Sequence, residues 1–142
     1  MNNIKIRLAK NKKELEEVFK IRKTVFIKEQ KVVENIEKDK FDRVAKHFIL
    51  YYKHKPVGCA RIRFVNRNAK LERIAVLKKY RGKGFGKTIT EYLIKYCKNK
   101  RSKGIYMNAQ YYLKDYYKKF GFKPKGSTFM EAGIKHIKMY LK

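Results

Sequence analysis

The chain has no tryptophan, two prolines and two cysteines in 142 residues, and only 12 of its side chains are acidic. Each shortage excludes something. Cys59 and Cys97 form neither a C-x-x-C pair nor a disulfide framework, which fits a reducing compartment. Pro56 and Pro124 stand alone, and no stretch rich in Pro, Gly or Ser offers a linker, so one domain over residues 1–142 is expected. The longest apolar run, residues 48–52, falls far short of the ~20 residues a membrane span requires. The cationic start, Met1 to Lys13, lacks the apolar stretch of a secretory leader. His47, His54 and His136 are scattered without metal-ligand spacing. Together these shortages predict a soluble cytoplasmic domain with no membrane partner and no bound metal.

What the chain has in excess is positive charge: 39 Lys and Arg give a formal net charge of +27. With 44% hydrophobic and 14% aromatic residues it is not a disordered basic tail. Such a charge attracts phosphate-bearing partners, whether nucleic acid, acidic membrane or an anionic cofactor. A surplus of 30 Lys over 9 Arg also arises from proteome bias alone. The imbalance is concentrated in residues 43–142, which hold only four acids: Glu72, Glu91, Asp115 and Glu131. An acid kept in such surroundings is a candidate for chemistry, with an ordinary surface ion pair as the plain alternative.

Ile4, Ile6 and Leu8 alternate with polar residues as in a half-buried strand. Asn11 with Glu14 reads as a helix cap, and Leu15, Val18, Phe19, Arg22, Val25 and Phe26 share a helical face. Residues 28–45 carry Glu29, Glu34, Glu37, Asp39 and Asp42 without clear periodicity and read as a loop or short helix. Strands are predicted over 47–52, 57–64 and 70–76, a helix over 85–99, a strand over 105–109, a helix over 112–120, and closing strands over 122–125 and 133–141. The order β-α-β-β-β-α-β-α-β-β predicts a mixed α/β (α+β) domain with helices on both faces of a central sheet.

The sharpest local signal is Arg81-Gly82-Lys83-Gly84-Phe85-Gly86-Lys87-Thr88, which follows a strand and opens a helix. Glycines there permit positive φ and close approach, and the helix's first N–H groups are free to bind phosphate oxygens. A P-loop would need glycine at position 81, and a dinucleotide fingerprint needs G-x-G-x-x-G; neither fits. The spacing R-x-x-G-x-G does fit, and here the sequence resembles the GNAT superfamily of acyl-CoA-dependent N-acetyltransferases. Tyr116-Tyr117-Lys118-Lys119-Phe120-Gly121-Phe122 resembles that superfamily's F-Y-x-x-x-G-F segment. Residues 22–30, Asp42, His47, residues 108–110 and residues 129–139 are similar to the ElaA-like branch, which usually has Asp and Pro where this chain has Ala132 and Lys135.

The resemblance implies a GNAT-like domain that transfers an acetyl group from acetyl-CoA to a primary amine by direct attack. It implies cofactor contacts from Ile74, Ala75, Val76, the segment Arg81, Gly82, Lys83, Gly84, Phe85, Gly86, Lys87 and Thr88, and Gln110. A backbone N–H near Val76 would face the thioester oxygen. Tyr117 would be the proton donor to the leaving thiolate, with Tyr116 the obvious misassignment. The base is open among Glu72, Glu29, His47 and His136. Glu72 is placed first because the two-residue period puts it in phase with Ile74 and Val76, its alternative being a cross-strand ion pair. Glu29, Gln30 and His136 are candidates for acceptor binding. Repulsion of cationic amines by the surface favours an acceptor amine that also bears an anionic group, since a polyamine would need Glu29, Asp39 or Asp42 at close range. Two other readings stay open: a nucleic-acid-binding module, although the element order matches none, and a GNAT domain that binds acyl-CoA without catalysis. Nucleic acid is otherwise expected only as a non-specific partner, and the sequence admits a homodimer.

Overall fold

The computed structural model describes residues 3–142. Strands β1 (Ile4–Leu8), β2 (Lys46–Tyr52), β3 (Lys55–Val65), β4 (Asn68–Val76), β5 (Gly104–Gln110), β6 (Lys123–Glu131) and β7 (Ile134–Leu141) form one sheet in the order β1-β2-β3-β4-β5-β7-β6. All neighbours are antiparallel except β4 and β5. Helix α1 (Lys12–Arg22) runs on as a wider π-helical turn over Lys23–Glu29, and α2 (Glu34–Glu37), α3 (Phe85–Asn99) and α4 (Lys114–Lys118) follow. The predicted strand and helix order is met, with α2 and a 3-10 turn, Lys40–Arg43, occupying the acidic stretch.

Alternation along the central strands sorts the core onto two faces. Ile49 and Cys59 pack with Val18, Ile21 and Val25 of α1 and its continuation. Phe48, Leu50, Ile62 and Leu71 pack on the other face with Phe85, Ile89 and Leu93 of α3 and Tyr117 of α4. Helix α1 starts as the sequence predicts: Asn11 Oδ1 accepts from the Glu14 N–H at 2.8 Å, and Glu14 returns a bond from the Lys10 N–H at 3.1 Å. Among the described residues no helix is long and apolar enough to cross a membrane.

Two expectations need correction. Strand β6 runs to Glu131, past the predicted end at Lys125, because an edge strand tolerates Pro124 and a left-handed Gly126 at an irregularity between Lys125 and Phe129. The more consequential one is a bulge in β4. Cys59 pairs with Ala75 but Arg61 with Glu72, so β4 carries one extra residue there. Arg73 takes it up in a left-handed conformation, φ 54°. The bulge reverses the side-chain phase: Ile74 and Val76 face the α3 side, while Glu72 stays on the face of Arg61, not in phase with them.

Candidate active site

The bulge also parts β4 from β5. Their parallel pairing runs only from Asn68 with Gly104 to Leu71 with Met107. Beyond that pair β4 remains bonded to β3 and β5 to β7, so a wedge opens between them. Leu77 N–H donates to Val57 O at 2.9 Å, which makes the facing pair Gly58–Val76 a non-hydrogen-bonded one. In such a pair the backbone N–H and C=O point away from the partner strand. The Val76 N–H therefore turns into the wedge, where no strand meets it.

A cleft of about 820 Å³ occupies this wedge. One end is the turn into α3, where Gly82 and Gly84 have φ of 76° and 87°, a conformation costly for other residues. A Cβ added to Gly86 would lie 3.2 Å from the Tyr116 hydroxyl, so glycine keeps the wall open there. The first N–H groups of α3 face this end. Arg81 spans the turn: its Nε donates to Val76 O at 2.8 Å and its two Nη donate to the Glu29 carboxylate at 2.5 and 2.8 Å. The pairing with Arg81 holds the Glu29 carboxyl below its ordinary range.

Of the residues singled out from the sequence, Glu29, Gln30, Glu72, Ile74, Ala75, Val76, Arg81, Gly82, Gly84, Phe85, Gly86, Lys87, Gln110, Tyr117 and His136 line the cleft. Lys83 and Thr88 do not; the Thr88 hydroxyl donates back to Gly84 O at 3.0 Å, as a helix side chain one turn in tends to do. Gln110 Nε2 donates to Gln30 Oε1 at 2.9 Å, tying the end of β5 to the end of the first helix. His136 faces Gln110 across the β5–β7 ladder and stacks on Phe129, with Nδ1 2.6 Å from Ile134 O. His47 lies outside the cleft, its Nε2 2.8 Å from Asp42 O, and burial lowers its basicity.

Tyr117 projects from α4 into the wall of the cleft, 7% exposed, amid Tyr116, Phe120 and Phe122. Burial pushes its hydroxyl well above the ordinary phenol range, so it keeps its proton at working pH.

Glu72 sits quite differently. Burial alone would raise its carboxyl, but Arg63 (2.7 Å), Arg61 (2.9 Å) and Lys70 (3.3 Å) outweigh that and hold it below the ordinary range. A base needs the opposite tuning, so the expectation of Glu72 as a base poised near working pH is revised: the cross-strand ion pair describes its position.

Those contacts belong to a network that composition could not show. Arg22, 1% exposed, donates to Glu37 and Asp42, and Arg61, 0% exposed, donates to Asp39, Asp42 and Glu72. Arg73 reaches Glu37 O at 2.9 Å and Asp39 at 3.4 Å. The sequence reading missed Arg63, Lys70 and Arg73 as residues lining the end of the cleft, and Arg61 as the buried cation behind them. Their signal was the Arg61-x-Arg63 alternation facing Glu72 on the next strand, obscured by the abundance of cations elsewhere.

A sheet split between parallel strands, with a glycine turn and a helix N-terminus at its mouth and a buried tyrosine on its wall, defines an α+β fold with its cleft at the split. Residues 9–142 match the family model described as an acetyltransferase (GNAT) domain, and the chain belongs to that family. It is 38% identical over 133 residues to the uncharacterized N-acetyltransferase YjcF of Bacillus subtilis, covering 93% of this chain and 95% of that protein. The fold is that of Escherichia coli ElaA, with a TM-score of 0.88 and 23% identity, covering 98% and 99% of the two chains. A Bacillus subtilis acetyltransferase solved in complex with CoA shares the fold at a TM-score of 0.74 and 17% identity, with 97% of each chain covered.

Proposed function

We propose that the protein is an acetyl-CoA-dependent N-acetyltransferase acting on a primary amine that enters the cleft from the end opposite the glycine turn. The observation that carries this reading is the wedge between β4 and β5 with the Val76 N–H turned into it and Tyr117 on its wall. The residues fit the cosubstrate. The backbone of Ile74–Val76 offers strand-type hydrogen bonds to an extended amide arm, and the open turn at Gly82, Gly84 and Gly86 with the first N–H groups of α3 suits phosphate oxygens. Lys87 adds positive charge there, beside the Arg81–Glu29 pair that braces the turn. Acetyl-CoA, when bound, supplies an acetyl group activated as a thioester. That a related fold was solved with CoA supports the same ligand here.

The chain's own groups then do three things. The Val76 N–H is a fixed donor for the carbonyl oxygen as it gains negative charge. Tyr117 gives its proton to the sulfur as the carbon–sulfur bond breaks and the carbon–nitrogen bond forms. The proton lost by the nitrogen returns through water to the tyrosinate, leaving the enzyme as it began. Because three cations lower the proton affinity of Glu72, it is a poor base, and the amine enters as free base.

Incubation with acetyl-CoA and a mixed amine pool, read by mass spectrometry and by release of free thiol, tests the reading. Acetylated amines are expected, and Tyr117→Phe is expected to lower kcat by roughly a hundredfold or more, the range for losing a general acid, while acetyl-CoA affinity stays within about threefold. Binding of acetyl-CoA without transfer to any amine would leave only a ligand-binding domain.

A further inference from the structure

The acceptor end of the cleft is lined by Phe41, Arg63, Lys70, Glu72, Arg73 and Asn108. Its ionic groups do not balance. The connected network holds five cations, Arg22, Arg61, Arg63, Lys70 and Arg73, against four carboxylates, Glu37, Asp39, Asp42 and Glu72. All four carboxylates are taken up by the two buried arginines, Arg22 and Arg61, before the cleft residues share them.

The surplus donors are on the cleft side. Arg63 gives only its Nε to Glu72, and its guanidinium lies 3.8 Å above the Phe41 ring. Among the described residues neither of its Nη atoms donates to a protein group, and the same holds for Nη1 of Arg73. These side chains are not loose surface cations: Arg63, Lys70 and Arg73 are 16%, 15% and 21% exposed. Burial together with the neighbouring guanidinia of Arg61 and Arg22 presses on the charge of Arg73 and lowers its pKa, a strain that an anion would relieve. The bulge at Arg73 is what aims this residue along the cleft instead of into the α3 core.

We infer that the acceptor is a small amine that also carries an oxyanion group, a carboxylate or a phosphate, read by the two free Nη of Arg63 and the one free Nη1 of Arg73 and assisted by Lys70. The Arg63 fork matches either group bidentately, and Arg73 adds a single donor. The inference rests on the acetyltransferase reading and adds its substrate class. It also leaves little for a polyamine, since Asp39 and Asp42 are engaged with Arg61 and Arg22 and Glu29 with Arg81. Among the described residues lining the cleft, Glu131, beside His136, is the one carboxylate with no Arg or Lys partner.

The test is calorimetric binding to protein saturated with CoA, which lacks the acetyl group and so admits the acceptor without turnover. The probes are α-, β- and γ-amino acids against their carboxamides, and phosphoethanolamine against ethanolamine, so that carboxylate and phosphate are distinguished. At least one anionic member is expected to bind tenfold or more tighter than its neutral partner. Arg63→Gln, which leaves Glu72 with Arg61 and Lys70, is expected to bring that ratio close to one while CoA affinity changes little. Arg73→Gln is expected to do the same to the ratio with a lower melting midpoint, since it takes a partner from Glu37 and Asp39. Equal binding within every pair, binding of the neutral members alone, no binding by any probe, or a preference that survives both substitutions would overturn it. Failure of CoA itself to bind is a separate result, which sinks the acetyltransferase reading rather than the choice of acceptor.

Discussion

Arg61 is fully buried yet fully paired, and this explains why a chain with so few acids still places several of them together. Removing one partner from such a network costs about 3–5 kcal/mol, because the remaining charge is stranded. Glu72→Gln is therefore expected to lower the melting midpoint by several degrees, while transfer by the protein that remains folded falls by less than tenfold. A profile of kcat/KM against pH should rise with the ionisation of the amine and show no step belonging to Glu72. A thousandfold loss with an unchanged midpoint would restore Glu72 as the base.

Asp42 makes the pH argument at the same scale. Burial pushes its carboxyl up, but bonds from Arg22 and Arg61 outweigh this and bring it down from 3.8 to about 2. A folded-state pKa below the unfolded one stabilises the fold above the unfolded value, and that contribution is lost as pH falls through the folded value. Denaturant melts between pH 5 and 2 should thus lose about 2 kcal/mol from Asp42 alone, mostly below pH 4, and Asp42→Asn should remove that part of the decline.

At the scale of elements, the turn into α3 and the bulge in β4 make the site, and they were unequally legible. The turn was readable because its three glycines fall within five residues and their spacing departs from two better-known phosphate loops. Strand order was readable because the apolar period changes from four to two after the acidic stretch. The bulge was not readable: Leu71-Glu72-Arg73-Ile74 alternates as well as any strand, and only the partner register shows that Arg73 is extra. Missing it put Glu72 on the wrong face. The network around Arg22 was hidden for a related reason, since a charged residue on an apolar helical stripe reads as an interruption until its partners, Glu37 and Asp42, are located. Gly84→Ala is expected to weaken acetyl-CoA binding by about tenfold and to cost roughly 1 kcal/mol of stability, because φ of 87° is strained for alanine. Calorimetry with acetyl-CoA and a denaturant melt check both numbers.

Across the whole molecule, the charge of +27 does two separable jobs. Much of it is exposed lysine that creates a long-range field, which salt screens within about 10 Å at 0.1 M. A smaller part is organised at the two ends of the cleft, by Lys87 beside the Arg81–Glu29 pair at the turn and by Arg63, Lys70 and Arg73 at the other end. Field and site predict different salt responses. The association rate of acetyl-CoA should fall steeply between 50 mM and 500 mM salt, while the dissociation rate, set by contacts in the wedge, should change little. Stopped-flow binding separates the two, and equal slopes would assign the affinity to the field alone.

The central claim is that the wedge between β4 and β5 is built for acetyl-CoA and not for phosphate-bearing ligands in general. A thermal-shift comparison of acetyl-CoA, ATP and NAD at one concentration and ionic strength tests it most directly, since a ligand of the native state raises the midpoint with occupancy. The account predicts a rise of several degrees with acetyl-CoA, little with ATP or NAD, and a much smaller rise in the Gly84→Ala variant. Equal rises with all three ligands, undiminished in that variant, would contradict it.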